Sequence, residues 1–330
     1  VIKQTIPGLV SVVVASYNHA EYLIRRMESL INQTYPHIEI LVIEDCSPDN
    51  SLEVLRKYES HPRVKLIVRQ KNGGWVAVSN QGVEESSGEF ILFANCDDDC
   101  DQRMVEQLVG AMQVHPTAGI AFCRSLLVDE GDQVIGDDFA GRERAFQERC
   151  ATDTLISGAQ MGRFLLHSCV IPNLSAALIR KECFEAAGAL SAEYRVCSDW
   201  DLFFRIAANF DVAYVAKPLN KFRQHPTTIR SMTKGRATYE EFFRLLLSQI
   251  KLLNLTFNER CRFRSRTMYL WGTHLFSQPW VGLRNFPYHL RRILQLDPVA
   301  LIFLVPGLFL GICTAGKKVC GRLSHTKTGC

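Results

Sequence analysis

The chain lacks several common signatures, and each absence narrows its function. None of its 12 cysteines forms a Cys-x-x-Cys pair, and no histidine joins them at zinc-ligand spacing. Compact zinc modules and thioredoxin-like redox motifs therefore drop out. Disulfide scaffolds are short chains, so these cysteines are expected to be reduced, small apolar residues. Neither a Gly-x-Gly-x-x-Gly turn nor a Gly-Lys-Ser/Thr phosphate loop is present, which removes the dehydrogenase and P-loop readings. With 21 Gly and 12 Pro, the chain is neither collagen-like nor of low complexity. Val1 to Gly8 has no apolar core of the kind a secretory leader needs, so a cytoplasmic setting is expected.

What is present is an ordinary globular composition, 47% hydrophobic and 22% charged over 330 residues. That length exceeds one comfortable core and suggests a large domain with an appendage. The net charge of +4 conceals an asymmetry. Up to Ala216, 19 Lys and Arg face 30 Asp and Glu; from Lys217 onward, 19 face 4. An acidic front and a basic back suggest two tasks, the second directed at an anionic surface or polymer.

The front half alternates β-branched runs with helical patterns. Val10 to Ala15, Ile38 to Ile43, Val64 to Val68 and Phe90 to Ala94 read as strands. Between them, Tyr22, Leu23, Met27, Leu30 and Ile31 recur at helical spacing, as do Leu52, Val54, Leu55 and Tyr58, and Asn72-Gly73-Gly74 opens a further helix. Near-continuously apolar strands separated by helices predict an α/β fold, with a mostly parallel sheet covered on both faces. In such sheets ligands bind beyond the carboxyl ends of the strands. The polar clusters Ser16-Tyr17-Asn18, Glu44-Asp45-Cys46-Ser47 and Asn95-Cys96-Asp97-Asp98-Asp99 all stand at such ends.

Three groups carry candidate chemistry. Asp97 and Asp98, after a buried strand, suit Mg²⁺ or Mn²⁺; a plain helix-capping turn would need one Asp, and Asp99 and Asp101 fit that plainer role. Asp199 opens an apolar helix, where it is either a cap or a general base. Arg223 and His225 follow the strand Val212 to Ala216 and could neutralise a departing diphosphate, although a lone His is more often structural.

In order, these clusters resemble family 2 glycosyltransferases, which have the GT-A fold. The resemblance rests on Ser11 to Asn18 with Tyr22-Leu23 and Ser29 to Pro36, on Glu39 to Asp49, and on Gly88 to Asp98. It continues through Ile171 to Lys181 and Ser198 to Leu202, spanning about residue 9 to residue 231. It implies that Tyr17 lies against the nucleotide base and that Asp45 hydrogen-bonds it, typically uracil. Ser16, Asn18, Asn80 and Asn95 would join them on the nucleotide side. Asp97, with Asp98 beside it and His225 nearby, would hold the metal, and Arg223 and His225 would serve the diphosphate. Asp199 would be the catalytic base, with Asn173 and Trp200 on the acceptor side. Three departures from the family pattern stand out: Asn95 replaces the first Asp of the metal motif, Glu44 replaces the first Asp of the paired acidic turn, and Ser79 stands where the family often has Arg.

Beyond Thr233 the pattern turns helical, with Tyr239, Phe242, Phe243, Leu246, Ile250 and Leu253 at i, i+3, i+4 spacing. Val299 to Gly316 then supplies 18 uncharged residues between Arg291-Arg292 and Lys317-Lys318, interrupted by Pro306-Gly307. This is short for a membrane span and better suited to an in-plane segment on anionic lipid. The expected organisation is a GT-A domain over residues 1–232, a basic helical extension over 233–297 and an apolar, membrane-associating segment with a basic tail over 298–330. No nucleic-acid module is recognisable.

The implied activity is metal-dependent, inverting transfer of a sugar from a nucleotide donor, UDP-linked, to a glycan or lipid-linked hydroxyl. Its setting would be the cytoplasmic face of a membrane. A non-catalytic nucleotide-sugar-binding scaffold is the rival. A nucleotidyltransferase would need a phosphate-grasping loop after the first strand, where this chain has Ser16-Tyr17-Asn18.

Overall fold

The computed structural model describes residues 5–226, 236–277 and 279–304. The chain divides into two compact units, Val1–Thr233 and Lys234–Cys330.

The first unit is built on a ten-stranded sheet ordered β3-β2-β1-β4-β9-β6-β10-β5, with β7 on β6 and β8 on β10. Its parallel part comprises β1 (Ile6–Ser16), β2 (Ile38–Glu44), β3 (Val64–Val68) and β4 (Gly88–Phe93). β1 runs parallel to both β2 and β4, in register from Val10↔Ile38 to Ser16↔Glu44. Past β4 the sheet becomes mixed. β9 (Ala177–Arg180) enters antiparallel between β4 and β6 (Ala118–Val128), and β10 (Asp211–Arg223) then runs parallel to β6. Two reversals restore the original direction, so β10 ends on the same side of the sheet as β1, β2 and β4. β5 (Asp99–Cys100) and β8 (Thr154–Ile156) line β10 antiparallel, and β7 (Val134–Asp137) makes a hairpin with β6.

The core follows from the β-branched runs. Val10, Val12 and Val14 point into one face with Ile40, Val42 and Leu92, against Leu23, Met27 and Leu30 of α1 (Ala20–Ile31). Burying such side chains contributes roughly 1.5–3 kcal/mol each, before chain entropy is counted. On the other face α3 (Trp75–Glu85) approaches β1 closely enough that a Cβ on Gly82 would run into Val13. The polar residue on the buried stripe of α1 is Arg26, fully enclosed, whose charge bears on Asp98. All nine cysteines among the described residues are free thiols.

The second unit contains three helices, Arg236–Leu252, Phe257–Ser277 and Pro279–Leu296, then a 3-10 turn over Pro298–Phe303. Thr256 and Glu259 form a reciprocal capping box at the start of the second helix, with N–H···O distances of 2.8 and 3.3 Å. Arg264 pairs with the buried Asp297, the N-cap of the 3-10 turn, at 2.7 Å. Among the described residues no helix is long and apolar enough to cross a membrane. Residues 305–316 of the uncharged run lie outside the described residues.

Candidate active site

Four strand ends meet at one edge of the sheet: those of β1, β2, β4 and β10. The turns after β1 and β2 are cross-tied. The amide of Asp45 donates to the Ser16 carbonyl at 2.9 Å, and the amide of Asn18 donates to Ser47 Oγ at 3.1 Å. Both turns pass through left-handed backbone, at Asn18 (φ 56°) and Cys46 (φ 61°). Such conformations cost a non-glycine residue on the order of 1–3 kcal/mol and concentrate at ligand sites. Together they lift the ring of Tyr17 into solvent, 42% exposed.

The centre of the site is a cluster of His19, Asp97 and His225, whose ligand atoms all lie within 4.8 Å of one another. His225 Nε2 donates to Asp97 Oδ2 at 2.9 Å, and its imidazole is enclosed against the rings of His19 and Tyr22. Burial would push the Asp97 carboxyl up, but the bond from His225 and the electrostatic influence of the two neighbouring imidazoles hold it below the usual carboxylate range. Sequence reasoning expected Asp97 and His225 here and missed His19, which reads as the start of a helix. The signal was available, since His19 sits in the same polar turn after β1 that carries Tyr17.

Asp98 points elsewhere. Its Oδ2 accepts from Asn173 Nδ2 at 2.7 Å and Asn95 Nδ2 at 3.2 Å, and its Oδ1 accepts from the Arg223 amide at 3.0 Å. Burial and the neighbouring Asp97 charge raise its pKa to about 7. The carboxylate of Asp98, expected beside the metal, is buried, and its oxygens are engaged at the β4–β10 junction.

Four other expected residues make their contacts within the chain. Arg223 is 1% exposed, and its guanidinium donates to the carbonyls of Asp97 (2.7 Å) and Asp129 (2.6 Å), pairs with Asp132 and lies 4.9 Å from the Tyr22 ring centroid. It holds the end of β4 and the β6–β7 hairpin together. Arg25 also pairs with Asp132, so this hairpin is tied down at its tip. Asp45 is buried, accepting from Arg69 Nη1 (3.0 Å), Gly73 N (2.9 Å) and Gly74 N (2.9 Å), and so shapes the 69–74 loop. Asn80 spends both amide atoms on the backbone of Leu190, at 2.9 and 3.0 Å. Ser16 is wholly buried, and its hydroxyl makes no hydrogen bond.

On the acceptor side, Asn173 is buried as the partner of Asp98 and as the cap of the turn Leu174–Ala176. Trp200 is also buried and stacks on Phe204, with ring centroids 6.3 Å apart. Asp199 lies in the first turn of α8 (Ser198–Ala207), partly exposed. This helix is secured from behind: Asp201 pairs with Arg205, which donates to the Gly188 and Ala189 carbonyls at 2.8 and 3.0 Å.

Known proteins share this fold. The crystal structure of Staphylococcus aureus TarS 1-349 in complex with UDP-GlcNAc superposes with a TM-score of 0.69 at 17% identity, covering 95% of this chain and 92% of that one. The mannosyltransferase PcManGT from Pyrobaculum calidifontis, in complex with GDP-Man and Mn²⁺, gives a TM-score of 0.54 at 14% identity, over 93% and 86% of the two chains. At these identities the likeness is one of fold, and it confirms the GT-A architecture. In sequence, glycosyltransferase GlyG of Streptococcus pneumoniae serotype 4 is 32% identical over 182 residues, 53% of this chain and 58% of GlyG. TuaG of Bacillus subtilis, a glycosyltransferase assigned to teichuronic acid biosynthesis, is 28% identical over 124 residues, 37% of this chain and 49% of TuaG. The alignments thus span about half the length of these relatives. The profile of glycosyl transferase family 2 matches residues 11–184, more than half of the chain. With that match and the shared fold, the chain belongs to glycosyl transferase family 2.

Proposed function

We propose that this glycosyltransferase moves a sugar from a UDP-linked donor, with inversion, to a hydroxyl of a glycan or lipid-linked acceptor in cell-surface polysaccharide synthesis. The observation that carries this reading is the His19–Asp97–His225 cluster beside the exposed Tyr17, at the ends of β1, β4 and β10. The complexes of TarS with UDP-GlcNAc and with UDP support a uridine donor, and the assignment of TuaG supports a cell-wall polymer as the product.

In this mechanism Tyr17 stacks on the base and the Asp45-braced loop lines the same side. Asp199 accepts the proton of the acceptor hydroxyl, whose oxygen forms its bond to the anomeric carbon as the bond to the diphosphate oxygen breaks on the opposite face. Orienting the two substrates removes much of the entropic cost of the encounter. The cluster's orphaned, buried His19 Nε2 and its carboxylate and imidazole donors fit a divalent cation such as Mn²⁺ or Mg²⁺, held by Asp97 and His225. When bound, the cation supplies positive charge for the departing diphosphate.

The test is release of nucleoside diphosphate from a panel of nucleotide sugars with Mn²⁺, comparing the wild type with Asp199→Asn and Asp97→Ala. Turnover with one donor, lost in both variants, supports the reading. Metal-dependent donor binding without turnover, even with membrane extract as acceptor, overturns it in favour of a binding scaffold.

We also propose that the second unit meets an anionic membrane from the cytoplasmic side. Leu252 (75% exposed), Phe257 (78%) and Ile302 (72%) gather at one end of its helices, where Arg260 and Lys251 tie the helix ends together. Basic residues greatly outnumber acidic ones in this unit, which favours anionic lipid. Flotation with anionic and neutral liposomes tests this; equal absence from both fractions overturns it.

A further inference from the structure

The Tyr17 carbonyl fixes the form in which His19 meets the cluster. His19 Nδ1 lies 2.7 Å from that oxygen. A carbonyl only accepts, so Nδ1 carries the proton and Nε2 of the neutral ring keeps its lone pair. That Nε2 is buried and makes no hydrogen bond in a chain where most such atoms are satisfied. A ring whose far N–H is anchored on a backbone carbonyl, with the near nitrogen bare, is the arrangement that orients histidine toward a metal. Its neighbours complete the picture. Asp97 and His225 share one proton across 2.9 Å, the proton that a cation would displace. The 4.8 Å span of the three groups is close to the reach of about 4 Å set by two metal–ligand bonds of about 2.1 Å.

We infer that the metal-binding set of this chain is His19, Asp97 and His225, with Asp98 kept out of it, and that these two imidazoles make the site select a Mn²⁺-type cation over Mg²⁺. This deepens the metal-dependent reading above and rests on it. Mg²⁺ is a hard ion that prefers oxygen and keeps its water, whereas imidazole nitrogen suits the first-row transition ions. Asp98 is withheld because Asn95, Asn173 and the Arg223 amide occupy its oxygens. Asn95 fits the same account. Its side chain donates to Asp98, a bond that a carboxylate at this position could not make, so replacing the acidic residue here secures Asp98 in its place.

The experiment reads metal binding without turnover. Mn²⁺ binding to the full chain is followed by loss of the free-ion EPR signal, with and without UDP, and then by competition with Mg²⁺. UDP binding is measured separately by calorimetry. The wild type is expected to bind Mn²⁺ and to resist Mg²⁺ competition. His19→Gln should lose Mn²⁺ affinity by about tenfold or more, in the range seen when a metal site loses supporting groups. His19→Asp should regain Mn²⁺ binding but yield to Mg²⁺ at lower concentration, because oxygen has replaced nitrogen. Asp98→Asn should stay within about threefold of wild type, since Asp98 is no ligand. Unchanged Mn²⁺ binding in His19→Gln, or its loss in Asp98→Asn with thermal stability intact, overturns the ligand set and leaves the metal-dependent reading standing. A wild type that binds UDP but no Mn²⁺ overturns the metal-dependent reading itself, and the ligand set with it.

Discussion

Arg223 donates from Nε to the main-chain carbonyl of Asp97 at 2.7 Å, and its own amide donates to the carboxylate of Asp98 at 3.0 Å. The last strand of the first unit is thereby latched to the acidic end of β4 through one residue, twice. The guanidinium completes its contacts on the Asp129 carbonyl and the Asp132 carboxylate. A lysine cannot reproduce this fork.

Arg223→Lys is therefore expected to destabilise the chain by roughly 1–3 kcal/mol, the cost of leaving a buried hydrogen-bond partner unsatisfied. Urea denaturation measures it. A variant of wild-type stability that loses only affinity for UDP would show instead that Arg223 faces the nucleotide.

Asp45 braces the 69–74 loop through Arg69 and the amides of Gly73 and Gly74. Asp45→Ala should loosen that loop, raising KM for the donor several-fold more than it lowers kcat, because uniform binding is what a misplaced wall removes. Limited proteolysis should find a new cut between residues 69 and 74. An unchanged digestion pattern would refute the bracing role.

Asp49 serves the first turns of two helices. Its carboxylate accepts from the amides of Ala20 and Ser51, both at 3.0 Å, where helix dipoles also favour negative charge. Burial works against the charged form, but these bonds outweigh it and lower the pKa. The sign follows from linkage: a depressed folded pKa stabilises the chain fully above the unfolded value, and the contribution is lost as pH falls through the folded pKa. The thermal midpoint should therefore drop below about pH 4. In Asp49→Asn part of that acid dependence should be missing, so parallel melting curves for the two proteins from pH 3 to pH 6, a range chosen around the ordinary Asp value of about 3.9, would contradict it.

Ser16 Oγ is buried without a hydrogen bond. An unsatisfied buried hydroxyl costs about 1–3 kcal/mol, so Ser16→Ala should be as stable as the wild type or more stable, and should leave the donor KM unchanged. A clear loss of donor affinity would place the hydroxyl on the nucleotide after all.

The parallel half of the sheet was legible because Val10 to Ala15 and its companions are β-branched runs of strand length, each ending in a polar turn. Those runs also located the site, since Tyr17, Asp97 and His225 all lie at strand ends. The antiparallel insertion of β9 was hidden, because the short segment Ala177–Arg180 carries no period of its own and is held by its neighbours on both sides. β10 was read only to Ala216; its pairing with β6 shifts at Pro218 and resumes, carrying the strand on to Arg223. At the site, residue type marked polarity but not direction. Asp97 and Asp98 are adjacent and chemically identical, yet one faces His225 and the other faces Asn173. Asp45, Asn80 and Arg223 have side chains able to bind a ligand, and tertiary partners claim each of them first.

The distance along the chain between Asp97 and His225, 128 residues, has a consequence for how the enzyme acquires its chemistry. The cluster takes His19 from the beginning of the first unit and His225 from its end, so closing it requires a long loop to have been ordered already. A cation held there would act on the folded chain as a staple between its earliest and latest elements. Its binding free energy would add to the stability of the whole unit. A fragment ending at residue 184, where the family profile stops, would keep Tyr17, His19 and Asp97 but would lack the residue that closes the clasp.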